Sequence, residues 1–518
     1  MDSTAFSPRM TRAKKRVISM LLALLMCSPA FVSCANSSGD GGEHDAPTAA
    51  NTADDSANTA ADAVEETAAD ENTDSNGYLL DSLPELDFGG QTVNLLYWSD
   101  VENQEFEADE FTGEIVNDAI YQRNITVEDR LSIKYNWIGT PGNGGNINAY
   151  MGKVRDSHVA GDNAYDILAA YSRSIASCLV NGLLTNLESA PYIDYEKPWW
   201  PDNLMSESMI NNHLYFVSGD ISTNVLHMMY CVYLNKNLIE DYGLENPQDL
   251  VMENKWTIDK LIEMTGNAYI DMNGNGKADV DDRYGFTITS FHNDAFYTGS
   301  DLKLVEKDPE KVLIISEDFY SEKTIDLLAK LGPWEATSDV YQAGDYEKPF
   351  TEGRAIFNIN RAHYASKALR DSELSYGIVP VPKYDENQEN YRTVMGNPVT
   401  LYGVTINCQI KDVCAAVLEC MGSNGYRMTT PAIFENNMKK KYSADDVNAQ
   451  MYDIVRESVS FELGRFFNTF LSDITDIFFA EVVANNQTWA STSGRYRKVL
   501  TKQMENVVKK IVENEGNL

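Results

Sequence analysis

The sequence lacks the short motifs of the commonest catalytic and nucleotide-binding sites. It contains no HExxH, no GxSxG and no GxxxxGK[ST], so nothing indicates a zinc protease, a nucleophile-elbow hydrolase or a P-loop NTPase. The 6 histidines are scattered, and His227 and His363, which lie in apolar runs, have no nucleophile beside them in the chain. A glycosidase needs only two carboxylates at a suitable separation, so an enzyme that acts on glycans stays open as an alternative.

Basic residues are scarce. The chain of 518 residues has 42 Lys and Arg against 78 Asp and Glu, a formal net charge of -36. Because affinity for nucleic acid comes mainly from cations that neutralise phosphates, this balance argues against a nucleic-acid partner. It also argues against a protein body that lies on an anionic membrane. The length and the 43% hydrophobic content predict two or three domains rather than one core.

Cysteines are few and unpatterned. Cys27 and Cys34 belong to the N-terminal segment, and the other five form an odd number without CxxC spacing. Such usage does not indicate a disulfide framework or a zinc site. Cys414 and Cys420 lie in an apolar helical pattern, and we expect them to be small buried hydrophobic side chains.

The N-terminal segment has the three parts of an export signal. A basic stretch between Arg9 and Arg16 precedes an apolar run from Val17 to Met26, and Phe31-Val32-Ser33-Cys34 follows. The apolar run is too short to span a bilayer, which requires about 20 residues. The stretch that ends in Cys34 resembles the lipobox of bacterial lipoproteins. The resemblance implies residues 1–34 as signal peptide, lipidation of Cys34 and anchoring to the outer face of the cell membrane. An ordinary cleaved signal is the alternative.

Residues 35–77 form a predicted disordered, acidic spacer. Small and polar residues dominate it, and no Lys or Arg occurs between Asp40 and Asp87. Such a segment cannot bury enough apolar surface to offset the entropy lost on ordering, and its charges favour extension.

From Tyr78 onward the apolar residues alternate between strand and helix spacing. Strands that alternate with helices predict a parallel sheet with helices on both faces. A second α/β unit of similar size follows from about residue 244 to 382, and helices close the chain. The predicted segments are strands 92–98, 133–137, 166–171, 214–220, 228–234, 285–288, 355–359 and 404–407, and helices 116–131, 147–160, 174–182, 321–331 and 411–421.

Ligands of parallel sheets bind beyond the carboxyl ends of the strands. This rule selects Trp98 and Asp100 at the end of the first predicted strand, and Tyr171 at the end of the third. Packing in the core or at the rim is the alternative for Trp98 and Tyr171. The adjacent indoles of Trp199 and Trp200, held between prolines, are a suitable platform for stacking on a sugar, although packing of at least one of them is also expected.

The segment DMNGNGKADVDD from Asp271 to Asp282 matches an EF-hand-type calcium loop. Oxygen ligands stand at the expected positions, and Gly276 occupies the sharp turn. The last ligand is Asp282 instead of the usual Glu, as in dockerin-type loops. We expect a structural Ca²⁺ ion here; a turn without metal is the alternative. The predicted ligands are Asp271, Asn273, Asn275, Lys277 through its carbonyl, Asp279 and Asp282.

The order of several short motifs resembles that of the extracellular solute-binding proteins of sugar ABC importers, the maltose-binding type among them. The resemblance covers roughly residues 88–518. In chain order, the first motifs are Tyr165-Asp166-Ile167-Leu168, Leu234-Asn235-Lys236 and Lys255-Trp256-Thr257. The calcium loop and Tyr284-Gly285-Phe286 come next, followed by GRAIFNIN from Gly353 to Asn360 and YGIVPVP from Tyr376 to Pro382.

The resemblance implies the type 2 periplasmic-binding fold, in which crossover strands join two α/β lobes. The first lobe would comprise residues 78–225 and about 400–435, and the second 226–399 and about 436–518. Crossovers would lie at 225–234 and 397–403. A carbohydrate, expected to be an oligosaccharide, would bind between the lobes and pass to a permease.

The same resemblance suggests further contacts. Asp220 would accept hydroxyl hydrogen bonds, and Arg361 and His363 stand where relatives carry an aromatic residue, which suits an acidic or more polar sugar. The protein would be a monomer without catalytic activity. A non-sugar ligand such as a peptide stays open.

Overall fold

The structure, a computed structural model, describes residues 72–441 and 446–515. The predicted signal segment, Cys34 and most of the predicted spacer lie outside these residues. Within the described ranges, no helix has the length and apolar character needed to cross a membrane.

Strands and helices alternate through most of the chain. The strands are β1 (Gln91–Trp98), β2 (Ile133–Thr140), β3 (Ile167–Tyr171), β4 (Tyr230–Asn235), β5 (Tyr284–Ile288), β6 (Val305–Lys307), β7 (Leu313–Ile315), β8 (Val340–Gln342), β9 (Ala355–Arg361), β10 (Tyr376–Val379), β11 (Thr393–Val394), β12 (Thr400–Val404) and β13 (Val459–Ser460). The α-helices are α1 (Ile115–Leu131), α2 (Ile147–Ala160), α3 (Ser172–Val180), α4 (Asp202–Ser208), α5 (Asn224–His227), α6 (Lys236–Asp241), α7 (Pro247–Met252), α8 (Ile258–Thr265), α9 (Asn293–Gly299), α10 (Glu322–Glu335), α11 (Glu347–Thr351), α12 (Tyr364–Lys367), α13 (Lys411–Asn424), α14 (Asp446–Glu457), α15 (Leu463–Phe466), α16 (Ile474–Val483) and α17 (Trp489–Glu515). Short 3₁₀ turns lie at Ser290–His292, Glu317–Tyr320 and Asn468–Phe470, and π-helical turns at Gly425–Thr429 and Pro431–Lys441.

The first sheet has the strand order β12-β3-β1-β2. β1 runs parallel to β2 and β3, and β12 joins the edge antiparallel to β3. Parallel neighbours need a crossover connection, and α1 supplies it between β1 and β2. Helix α1 ends at Ser132, which adopts the left-handed conformation (φ 50°) and turns the chain into β2.

The second sheet has the strand order β10-β4-β9-β5-β8. β5 is parallel to β8 and β9, whereas β4 is antiparallel to β9 and β10. Residues of β4, β5 and β9 are almost all buried, as expected for strands with helices on both faces. The two sheets therefore form separate α/β layers, linked by the chain that leads into β4 and by the chain that leads into β12.

Most of the predicted strands and helices agree with the structure, and two differ. Residues 214–220 contain no strand: Val217 pairs with Tyr402 of β12 in an isolated bridge, and the chain then turns at Gly219 (φ 139°). The strand predicted at 404–407 lies earlier, at Thr400–Val404, because its pairing with β3 ends at Ile167. The proposed bounds of the two lobes stay predictions.

Candidate functional site

A cavity of about 310 Å³ lies between elements of the two sheets. Tyr171 ends β3 of the first sheet, and Arg361 ends β9 of the second. Carboxyl ends of strands from both sheets therefore meet at one place, where the rule for parallel sheets puts a ligand. The lining residues are Glu102, Tyr171, Arg173, Tyr230, Phe291, Asp294, Arg361, Asn397, Pro398, Arg465, Asp476 and Phe479.

Aromatic rings form part of the wall. Tyr171 packs against Trp98, with ring centroids 5.8 Å apart, and Tyr230 meets His292 edge to face at 5.3 Å. Phe291 keeps 47% of its surface exposed, although it packs at 4.4 Å from the same His292 ring. Buried aromatic neighbours hold Tyr171 and Tyr230 in place, and the cavity face of each ring is suited to contact with the apolar face of a sugar.

Glu102, from the loop between β1 and α1, reaches across to the second sheet. One carboxylate oxygen lies 3.1 Å from Arg361 Nη1, and the other lies 3.9 Å from Lys367 Nζ. The same oxygen lies 3.7 Å from His363 Nδ1. Burial, with Arg361 and Lys367 nearby, lowers the pKa of His363 to about 2, so this histidine is neutral at physiological pH. Glu102 is therefore a charged contact between the two lobes.

A second ion pair, Arg465 with Asp294, is buried in the wall. Burial raises the pKa of Asp294, and Arg465 and Arg173 oppose this rise. Asp294 Oδ1 and Arg465 Nε have no hydrogen-bond partner in the protein. Because an unpaired buried polar atom costs about 1 to 3 kcal/mol, a ligand hydroxyl at this position would be stabilised.

Trp98 and Asp100, two candidates from the first sheet, are not among the residues that line the cavity. Trp98 is 1% exposed, and its Nε1 donates to Thr400 Oγ1 at 3.0 Å, so it supports Tyr171 from the core. Asp100 accepts the backbone N–H groups of Gly142 and Asn143 at 2.8 and 3.1 Å. It therefore holds the loop between β2 and α2, and this use of its oxygens explains why it does not face the cavity.

The indole pair is not at the cavity. Trp199 and Trp200 are 0% and 1% exposed, and Trp200 Nε1 donates to Glu419 Oε2 of α13 at 2.8 Å. Helix α13 approaches so closely that a Cβ added at Gly422 would lie 2.8 Å from Trp199 Cδ1. The structure thus places the predicted stacking platform in the core of the first lobe, because both ring faces are needed for packing.

Asp220 and His363 do not line the cavity either. Asp220 accepts from Thr430 Oγ1 at 2.7 Å and from Arg456 Nη2 at 3.2 Å, at the edge of a separate cavity of about 600 Å³. His363 is 5% exposed and lies next to the lining residue Arg361. Of the eight predicted ligand-binding residues, Tyr171 and Arg361 line the 310 Å³ cavity.

The predicted calcium loop is a compact turn closed by its own hydrogen bonds. Asp271 accepts the N–H groups of Gly274 and Gly276 at 2.7 and 2.8 Å, and both glycines adopt positive φ angles. Asp279 accepts the side-chain amides of Asn273 and Asn275.

The end of this loop is anchored in the protein. Asp282, which is fully buried, accepts the N–H of Met272 and the hydroxyl of Tyr269. Among the described residues, no group of three or more His, Cys, Asp or Glu side chains is arranged to hold a metal. Because the expected ligands include two amides and the Lys277 carbonyl, the loop's oxygen-rich donor set still suits Ca²⁺, and metal binding stays a prediction.

Several lining residues carry no signal of their own in the sequence. Arg173 and Asp294 could have been found by applying the strand-end rule to β3 and β5. Arg465 and Asp476 come from α15 and α16, far along the chain, and only the tertiary fold brings them to the wall.

The comparisons with known proteins agree on the fold. No protein-family model matches the sequence, and no curated protein sequence does. Solved structures match over most of the chain. The cyclic alpha-maltosyl-1,6-maltose binding protein from Arthrobacter globiformis is similar with a TM-score of 0.57 and 14% identity, covering 81% of this chain and 100% of that chain.

Two other sugar-binding structures are similar to the same extent. The sugar-binding protein MalE from Xanthomonas citri matches with a TM-score of 0.55 and 13% identity, over 80% of this chain and 98% of that chain. The GacH receptor of Streptomyces glaucescens, solved with acarbose, matches with a TM-score of 0.54 and 13% identity, over 80% and 99%. At these identities the likeness establishes the fold alone. The chain has the type 2 periplasmic-binding fold of maltose-binding-type proteins, as the sequence predicted.

Proposed function

We propose that the protein is the binding component of an ABC importer and captures a carbohydrate in the cavity between its lobes. The main support is the cavity itself: strand ends of both sheets meet there, with aromatic rings beside charged groups that have unpaired polar atoms. Hydroxyl-rich ligands with an apolar ring face need both kinds of contact. The structural neighbours, which include sugar-binding proteins, support the same ligand class.

Delivery would depend on movement of the lobes. A ligand that contacts both walls stabilises the closed arrangement by its differential affinity for the two states. A membrane permease would then recognise the closed shape and receive the oligosaccharide. We also propose that the protein acts as a monomer and without catalysis.

The anchor is a further part of the proposal. Lipidation of Cys34 and the acidic spacer would hold the binder outside the cell and close to its permease, which raises its effective concentration there. Cell fractionation tests this part: the wild-type protein should stay with membranes and Cys34→Ala should be released. Retention of the variant would contradict the anchor and leave the fold unaffected.

Calorimetry against a panel of glycans tests the function. We expect saturable binding of at least one oligosaccharide at a stoichiometry of one, with the glycan recovered intact. Product formation would support the alternative of a glycan-active enzyme. Binding of peptides and of no glycan would contradict a carbohydrate ligand.

A further inference from the structure

Cations are concentrated at the cavity of this acidic protein. Arg173, Arg361 and Arg465 line it, and Lys367 lies behind Glu102 at 3.9 Å. The whole chain has 42 basic against 78 acidic residues, so a lining in which three arginines equal the carboxylates in number departs from the general composition. The carboxylates of the same wall are Glu102, Asp294 and Asp476. Three arginines and three carboxylates therefore line the cavity, and the ion pairs among them decide which charged groups are left without a direct partner.

Arg173 is the lining arginine whose charge acts on Asp294 and Asp476 only from a distance. Its Nε donates to the backbone oxygen of Arg465 at 3.2 Å, and among the described residues its guanidinium forms no ion pair. This bond fixes the inner end of the guanidinium group and leaves both Nη atoms available at the cavity wall. A planar guanidinium binds a carboxylate through two parallel hydrogen bonds.

Arg361 has donor capacity left as well. Its Nη1 is bound to Glu102 at 3.1 Å, but its Nε is buried and has no partner in the protein. Unpaired acceptors lie in the same wall, at Asp294 Oδ1 and Asn397 Oδ1. The Nη atoms of Arg173 are thus available to an anionic group, and unpaired polar atoms of Arg361, Asp294 and Asn397 are buried within the same wall.

We propose that the ligand of this cavity is an acidic carbohydrate, a sugar with a carboxylate group that Arg173 and Arg361 bind. The proposal rests on the proposed carbohydrate-binding function and narrows its ligand class. The rings of Tyr171 and Tyr230 contact the sugar face, and Asp294 and Asn397 accept from its hydroxyls. A neutral sugar of the same shape would leave the Arg173 guanidinium without a carboxylate hydrogen-bonded to it, which costs affinity.

Calorimetry with matched sugar pairs tests this assignment. Each pair consists of a uronic acid oligosaccharide and its neutral counterpart, such as digalacturonate with galactobiose and a glucuronate-containing disaccharide with its glucose equivalent. We expect the acid of at least one pair to bind about 10- to 100-fold more tightly, the range given by a charge-assisted hydrogen bond. A sulfated disaccharide forms a third arm.

Variants separate the role of Arg173 from general electrostatics. Arg173→Gln should remove most of the preference for the acid and change the affinity for the neutral partner less than about threefold. Arg155→Gln is the matched control, because Arg155 is an exposed arginine on α2 outside the cavity lining. It should leave both affinities unchanged.

Each of the other outcomes contradicts one stated part of the proposal. Equal or tighter binding of the neutral sugar, or an unchanged preference in Arg173→Gln, overturns the acidic ligand and leaves carbohydrate binding in place. Tighter binding of the sulfated disaccharide than of the uronic acid would show that the anionic group of the ligand is a sulfate ester and not a carboxylate. If neither member of any pair binds while peptides do, the proposed function itself fails, and this inference with it.

Discussion

Two aromatic regions of the first lobe lie in different environments. Tyr171 lies at a strand end on the cavity wall, beside guanidinium groups with unpaired donors. Trp199 and Trp200 are packed against α13, and the Trp200 N–H is satisfied by the buried Glu419. The residue types at both places suit sugar stacking, so the position relative to the strand ends distinguishes the regions better than composition does.

The largest effect should come from removing an indole from the core. Trp200→Ala leaves a large void against Gly422 and removes the indole donor of the buried Glu419, which should reduce the free energy of unfolding by about 3 to 5 kcal/mol. Urea denaturation measures this loss. Sugar affinity of the variant, determined where it is still folded, should match that of the wild type.

Trp200→Phe is the control, because it keeps most of the volume and loses the hydrogen bond, at about 1 to 3 kcal/mol. If Trp200→Ala keeps wild-type stability but no longer binds the sugar, the indole belongs to the binding site. The two aromatic regions would then not differ as the structure indicates.

The next effect depends on pH, through Glu419. Burial raises its pKa from 4.5 to about 7. Between these pH values the folded state binds more protons than the unfolded state, so stability present at low pH is lost as pH rises through about 7. Glu419→Gln removes this titration and should gain stability relative to the wild type between pH 4.5 and pH 8. The gain is at most roughly 3 kcal/mol, since one pKa unit corresponds to about 1.4 kcal/mol.

Urea denaturation at several pH values measures the difference between the two proteins. Burial also raises the pKa values of Glu335 and Glu462 to about 7. These two groups titrate equally in the wild type and in Glu419→Gln, so their contributions cancel in the stability difference. Glu505→Gln, a change at an exposed residue of α17, serves as the control and should not alter the pH profile. If the stability of Glu419→Gln and that of the wild type change with pH in the same way, the raised pKa of Glu419 in the folded protein is contradicted.

A smaller effect, on binding instead of stability, is expected at the cavity. Tyr171→Ala should weaken the affinity for the sugar by about 1 to 3 kcal/mol, by analogy with stacking of aromatic side chains on bases. Calorimetry measures it, and Tyr171→Phe should keep most of the affinity because the ring remains. Unchanged affinity in Tyr171→Ala would place the ligand elsewhere.

The fold could be predicted from the sequence to a large extent, since its signals are local. Apolar spacing marks β1, α1 and β3 nearly to their ends, and the strand-end rule leads to Tyr171. The site could be predicted only in part. Arg465 approaches the cavity from a helix about 300 residues after β3, and no local pattern indicates that contact.

The sequence also does not show which side chains are covered or bound by distant parts of the chain. Trp199 and Trp200 stand between prolines as a surface platform would, yet α13 covers them from more than 200 residues away. Asp100 follows a strand end as a ligand-binding residue would, but its oxygens hold the β2–α2 loop. In both cases the competing partner is distant in sequence, so residue type and local position were not sufficient.

The smallest effect is expected at the calcium loop, a third region whose polar atoms are paired as in the core although most of it is exposed. We propose that Ca²⁺ replaces some of these internal hydrogen bonds. At about ten times its dissociation constant, the ion should stabilise the folded state by roughly 1 to 2 kcal/mol. Thermal unfolding with Ca²⁺ and with EDTA measures the shift. Asp271→Ala should abolish it, because Asp271 caps Gly274 and Gly276 and provides the first ligand.

Asp281→Ala is the matched control for this loop. Asp281 lies in the same turn, but it stands outside the ligand pattern and pairs with Lys348 at 3.4 Å. Its replacement removes the same charge from the loop and should preserve the response to Ca²⁺. Equal loss of the response in both variants would indicate diffuse attraction of the ion to an acidic surface, whereas no response in the wild type would show that the hydrogen-bonded turn is complete without metal.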